Sequence, residues 1–270
     1  MPQSCDAFSR KTLLIGGILW ATFTSSAWAL QPLITDDTGT QGQGRYQLEA
    51  AWNENRTHNT PHQDVQQSLP LTATYGLSEH LDVFFSLIPT RLREGASGTN
   101  TAGLSNSVVG AKWRFFEQKG SGWSLGLKPQ ISLPISRSRE VAQLGSGKVS
   151  IDVLLVASHE AGWGAVHINL GAHHTRYLDT VAQPNTRHFY LSAAPVISLS
   201  ETVKLGLDTG LQRQLLHEPA STVQEKFILL GLIYSPHQSL DWALGVLRRS
   251  SNQNPQAITR SATLGLTWRF

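Results

Sequence analysis

The chain has 270 residues, with 22 basic and 19 acidic side chains and a net charge of +3 at neutral pH. That balance is too mild for a nucleic-acid surface, which concentrates basic charge. The single cysteine, Cys5, excludes a disulfide framework.

Arg10 and Lys11 precede an apolar run from Leu13 to Phe23, and Ala27-Trp28-Ala29 is a small-x-small cleavage signature. This is the pattern of a secretory signal peptide over residues 1–29, with cleavage expected near Ala29. The apolar run is shorter than the ~20 residues of a spanning helix, and Cys5 lies too early to carry a lipid anchor. No later stretch is long and apolar enough to cross a membrane as a helix, so a membrane-spanning chain must close as a barrel.

Residues 30–43 are polar and glycine-rich. They read as an irregular leader, hanging in the periplasm or reaching partly into a lumen. From Gly44 onward the chain alternates with period two, the signature of strands with unlike faces. Tyr46, Leu48, Ala50 and Trp52 alternate with Gln47, Glu49 and Asn53. Leu69 to Tyr75 follows, then Leu81 to Pro89, with Leu81, Val83, Phe85 and Leu87 opposite Asp82, Phe84 and Ser86. The scheme continues through Val109 to Phe115, Trp123 to Leu133, Val149 to Val156, Val166 to His173 and His188 to Ile197. Val203 to Gln212, Phe227 to Tyr234 and Leu240 to Leu247 come next. Ile258 to Phe270 is last, with Ala262, Leu264, Leu266, Trp268 and Phe270 on one face. That makes about twelve strands, an even number, as single-chain bacterial barrels have.

Connections alternate between short ones, near Ser78, Gln118, Gly162, Ser200 and Pro236, and longer polar ones, near His58, Ser97, Arg139, Ala182, Glu218 and Asn252. Short periplasmic turns against longer outside loops are the barrel convention. Beyond the signal peptide every tryptophan except Trp52 sits beside a short connection or the C-terminus, as an interfacial aromatic belt would place it. A half-buried strand set in a soluble sandwich offers no reason for that segregation. The fold expected is all-β: a transmembrane antiparallel up-and-down barrel over residues 44–270, in the outer membrane of a Gram-negative bacterium.

If the apolar rows face lipid, the other rows line the lumen. They carry Arg45, Glu49, Asp82, Lys112, Arg114, Lys128, Asp152, His167, His173, Lys204, Asp208, Asp241, Arg249 and Arg269. About twelve strands lie between a filled barrel and an open porin, so a narrow, charged lumen is expected. Either it passes a small solute, or its charges pair and plug it. The near balance of signs argues against strong ion selectivity. Asp36 and Asp37, in the flexible leader, are a candidate periplasmic gate, within reach of Lys112, Arg114, Lys204 and Arg269.

Other motifs carry no chemistry. Gly145-Ser146-Gly147-Lys148 imitates a phosphate loop but lacks the upstream glycine and the following Ser or Thr. His173 and His174 point to opposite faces of one strand. His58 and His62 lie in a loop without a carboxylate cluster, so neither metal nor cofactor is expected. Gly122-Trp123-Ser124-Leu125-Gly126 matches the nucleophile-elbow spacing, but it opens a strand with no helix behind it. No catalytic residue is assigned.

Pro32-Leu33-Ile34-Thr35-Asp36-Asp37-Thr38-Gly39-Thr40 and Gly44-Arg45-Tyr46-Gln47-Leu48-Glu49 resemble the opening of outer-membrane proteins of the MetA pathway of phenol degradation family. Tyr75-Gly76-Leu77, Leu81-Asp82-Val83, Lys112-Trp113-Arg114 and Trp268-Arg269-Phe270 fit the same family. The resemblance implies uptake of aromatic or other small organic compounds and identifies no catalytic residues. The function expected is therefore a channel for small, aromatic or hydrophobic, organic solutes. The alternatives are a barrel-embedded lipid-modifying hydrolase and a structural barrel with a plugged lumen. Expected partners are outer-membrane lipid, the solute, and the barrel assembly machinery through the strand ending in Phe270.

Overall fold

The computed structural model describes residues 31–270, apart from 60, 119, 182, 217–220 and 253–256. The expected signal peptide and its cleavage site lie outside the described residues. Strand segments run in the order β1 (Tyr46–Asn59), β2 (His62–Ser68), β3 (Leu71–Ser78), β4 (Leu81–Leu87), β5 (Pro89–Arg93), β6 (Asn100–Leu104), β7 (Val108–Gln118) and β8 (Trp123–Ser132). A short helix, α1 (Arg137–Val141), comes before β9 (Ser150–Ala161), β10 (Gly164–Thr175), β11 (Thr186–Ser198), β12 (Val203–Leu216), β13 (Ser221–His237), β14 (Leu240–Ser251) and β15 (Ile258–Arg269). Each pairs antiparallel with its neighbours, and β15 returns to β1 in a register of Leu48 with Trp268 and Trp52 with Leu264. The wall is thus a closed barrel of twelve staves.

Three staves are broken in two. β2 and β3 form one stave interrupted at Leu69–Pro70, β4 and β5 one interrupted at Ile88, and β6 and β7 one interrupted at residues 105–107. Proline has no N–H for the ladder, yet the ladder is carried across the break. Ala51 N–H donates to the Pro70 carbonyl at 3.1 Å and Leu69 N–H to the Pro89 carbonyl at 2.9 Å. The third break is a bulge: Ser86 pairs with Val108, but Pro89 pairs with Leu104, one residue further along.

The two faces separate as the alternation requires. Leu170, Leu191, Leu230 and Leu244 are half-exposed on the outer face, while Gln47, Glu49, Asp82, Lys112, Lys128, Asn169 and Asp208 are buried on the inner one. A closed sheet leaves no edge, so lipid is the solvent for the apolar rows. Trp113, Trp123, Trp163, Trp242 and Trp268 stand exposed at the short-turn end, which is the periplasmic end by the convention of these barrels.

Candidate functional site

The leader lies inside the barrel and travels round its inner wall. It can do so because four wall positions are glycine. A Cβ at Gly245 would come within 2.7 Å of Pro32, and one at Gly231 within 2.8 Å of it. Gly206 makes the same room for Leu33, and Gly265 for Gln31. Leu33 packs in this niche with Ala194, Val196, Leu229 and Leu247.

Next the chain meets β12. Asp208 accepts the N–H groups of Ile34 at 2.6 Å and Thr35 at 2.7 Å, and the Thr35 hydroxyl at 2.6 Å. On β10, Asn169 accepts the Asp36 N–H at 2.6 Å and donates to the Asp36 carbonyl at 2.9 Å. The Asp36 carboxylate is clamped between Lys112 Nζ at 2.9 Å and Lys128 Nζ at 2.8 Å, all three groups buried. Asp37 reaches Lys112 at 3.4 Å. Thr38 bonds to Ser158 through its N–H (3.1 Å) and to Ser124 through its hydroxyl (2.6 Å). Gln41 N–H donates to both oxygens of Asp82, at 3.1 and 3.0 Å. Gly44 N–H reaches the Gly76 carbonyl at 2.9 Å, and β1 begins. The leader therefore touches nearly every stave in turn, from β15 back to β3, and forms a ring lining the periplasmic half of the lumen. Between ring and wall is a cavity of about 30 Å³ lined by Gln41, Glu49, Asp82, Phe84, Lys112 and Lys128, among others.

Asp36 is the hub of this ring. Burial pushes its carboxyl up, but the Lys112 and Lys128 ammoniums outweigh that and hold it at about 2. A carboxylate removed from water is stable only when paired and hydrogen-bonded, and here it is both.

The charged residues expected in the lumen fall into four groups. Glu49, Asp82, Lys112, Lys128, Asp152, His167 and Asp208 are buried on the inner wall, and His173 is nearly so. Asp152 accepts from Tyr190 Oη at 3.0 Å and Gln130 Nε2 at 3.2 Å, and lies 3.6 Å from His173; His167 Nδ1 is 2.9 Å from Ser158 Oγ. Arg114, Asp241 and Arg269 lie at the short-turn rim, and Arg249 pairs with Glu225 at 4.0 Å toward the other end. Arg45 and Lys204 are exposed and do not line the lumen: their strand parity points inward, but both stand at the mouth, below the level where the wall closes over them.

The expected partners of the leader also need correction. Of Lys112, Arg114, Lys204 and Arg269, only Lys112 pairs with it; the other clamp is Lys128. Arg114 is occupied by the Glu79 carbonyl (3.1 Å) and Glu117, and Arg269 by Asp241 (2.7 Å) and Gln47. The wall glycines let the leader sit deeper than the rim. The lumen is also less uniformly charged than expected. Phe84, Ile88 and Val108 form one buried inner patch, and Leu154 and Val156 another.

Ser124, in the Gly-x-Ser-x-Gly stretch, is the second residue of β8 and is bonded to Thr38. Gly147, in the phosphate-loop mimic, donates its N–H to buried Glu140, which also accepts from Leu178 and Asp179. His58 contacts Gln63 in the β1–β2 hairpin. Among the described residues no cluster of metal-ligating side chains occurs.

Residues 32–270 match the family described as "Putative MetA-pathway of phenol degradation". The chain belongs to this family. The match takes in the leader as well as the barrel. No curated protein matches the chain by sequence. Among solved structures, the COG4313 outer membrane channel from Pseudomonas putida F1 superposes with a TM-score of 0.68 at 12% identity, over 87% of this chain and 98% of that one. The beta domain of the Bordetella autotransporter BrkA gives 0.56 at 10% identity, over 84% and 100%. The NanC porin gives 0.54 at 9%, over 82% and 98%. At such identities the likeness is one of fold, that of outer-membrane barrels.

Proposed function

We propose that the barrel is an outer-membrane channel for passive uptake of small organic solutes, aromatic or hydrophobic ones among them, and that the leader is its constriction. The observation that carries this reading is the bed on which the leader lies. From Ile34 to Gln41 it is held by hydrogen bonds and ion pairs to side chains of the wall, contacts that water or a solute can replace one at a time. Apolar packing of the leader against the wall is confined to Pro32, Leu33 and Ile34. Membership of a family associated with phenol degradation agrees with this reading, as does the likeness in fold to the Pseudomonas channel. Against a hydrolase, Ser124 bonds to a threonine rather than to a general base.

Swelling of proteoliposomes in graded solutes tests the proposal. Small aromatic solutes should permeate, and deletion of residues 31–43 should widen the range of solutes that do. No permeation by any solute, with or without the leader, would make the barrel structural. For insertion, we propose that β15 is the strand the assembly machinery engages, through Phe270, whose ring stacks on Tyr46 at 5.6 Å.

A further inference from the structure

Six consecutive staves carry an exposed outward base near the long-loop end: Arg187, Arg213, Lys226, Arg248, Arg260 and Arg56 on β11, β12, β13, β14, β15 and β1. The apolar row beneath it is interrupted by Thr209 on β12 and by Glu54 on β1, and Leu215 and Ile258 lie beyond the base on β12 and β15. On β15 the row reads Trp268, Leu266, Leu264, Ala262, Arg260; on β14 it reads Trp242, Leu244, Val246, Arg248. Arg260 stands roughly 20 Å above Trp268, taking ~3.3 Å per residue and a strand tilt of about 40°. The apolar band of such barrels is about 25 Å tall. The bases therefore mark its outer edge, where the headgroups of the outer leaflet lie.

At the seam where the barrel closes, these bases crowd. Arg260 is directly opposite Arg56 on one side and directly opposite Arg248 on the other. Like charges in facing positions repel. The available acid relieves this only at Arg56. Glu54 is engaged by Arg56 at 2.6 Å and by Gln67 at 2.7 Å, and among the described residues neither Arg248 nor Arg260 has an acidic partner. Arg248 and Arg260, in facing positions above an apolar wall, suit a ligand with closely spaced phosphates above acyl chains, because the guanidinium fork binds phosphate bidentately.

We propose that the outer face across the β14–β15–β1 seam is a binding site for a phosphorylated, multiply acylated glycolipid of the outer leaflet. Arg248 and Arg260 take its phosphates, and the rows headed by Val246, Ala262 and Trp52 take its chains. The site is independent of which solute the lumen passes.

The test uses the full chain in phospholipid nanodiscs, titrated with bisphosphorylated lipid A, with the same glycolipid stripped of phosphate, and with inorganic phosphate. Bound lipid is read by native mass spectrometry and stability by the thermal midpoint. The expected result is binding of, and stabilisation by, the phosphorylated glycolipid alone. The R248Q/R260Q double variant should bind it roughly tenfold more weakly, having lost two charge-assisted contacts, while the R248K/R260K double variant retains most of the binding. In nanodiscs without glycolipid, R248Q/R260Q should be at least as stable as the parent, because repulsion across the seam is relieved. A merely structural role would make that variant less stable in both lipids, and this result overturns the proposal. Equal binding of the phosphate-free glycolipid, stabilisation by inorganic phosphate alone, or unchanged affinity in R248Q/R260Q overturns it as well.

Discussion

The side chain of Asn169 pairs with the backbone of Asp36 as a neighbouring strand would, accepting the N–H at 2.6 Å and returning a donor to the carbonyl at 2.9 Å. This reciprocal bond turns the leader's backbone so that the Asp36 carboxylate points at Lys112 and Lys128. If the ring is the constriction, its strength lies in these three partners.

Removing the charge of Asp36 should therefore open the channel. Asp36→Asn leaves two buried ammoniums facing a neutral amide, and breaking a buried ion pair on one side costs about 3–5 kcal/mol. Single-channel recordings in planar bilayers should show higher and noisier conductance for Asp36→Asn, and a smaller change of the same sign for Asn169→Ala. Unchanged conductance in both folded variants would show that the ring does not set the constriction.

The Asp36 clamp should resist mild acid. Because Asp36 titrates at about 2, below the 3.8 of an unperturbed aspartate, its contribution to docking is fully present above that free value. It is lost as pH falls through about 2. The difference in conductance between the parent and Asp36→Asn should stay constant from neutral pH to about pH 4 and shrink only below that. A step near pH 5 that survives Asp36→Asn would place control in another group.

Filling a niche should expel the leader without damaging the wall. Gly245→Val puts side-chain atoms where Pro32 sits, an overpacking worth about 1–3 kcal/mol, while valine suits a strand better than glycine does. The expected outcome is faster proteolysis within residues 31–43 and raised conductance, with the heat-modifiable gel mobility of the folded barrel unchanged. Loss of that mobility shift would mean that the wall itself had failed.

The outer face should behave as a lipid face. Leu244 is 55% exposed and flanked by Leu232 and Leu264. Leu244→Arg should lower unfolding stability in liposomes by about 2–4 kcal/mol, measured by denaturant titration. A cost within error of zero would mean that this row does not meet hydrocarbon.

What the amino-acid order determined alone is everything that depends on neighbours two residues apart. Tyr46, Leu48, Ala50 and Trp52 lie outward and Gln47, Glu49 and Asn53 inward because successive side chains of a strand must point to opposite faces. Repeating that pattern about twelve times, with connections alternating in length, leaves little besides a closed barrel. The resemblance in the leader and the first hairpin was equally local. Parity says which face a residue takes but not its height or its partner. Arg45 and Lys204 have inward parity and stand exposed at the mouth; Lys128 has the same parity and sits deep enough to hold Asp36. Choosing among them required the register of every stave and the depth at which Gly206, Gly231, Gly245 and Gly265 admit the leader. Those glycines are scattered along the chain, and only closure of the sheet brings them into one niche. Likewise Arg56, Arg248 and Arg260 are ordinary surface arginines until β15 pairs with both β14 and β1 and sets them side by side.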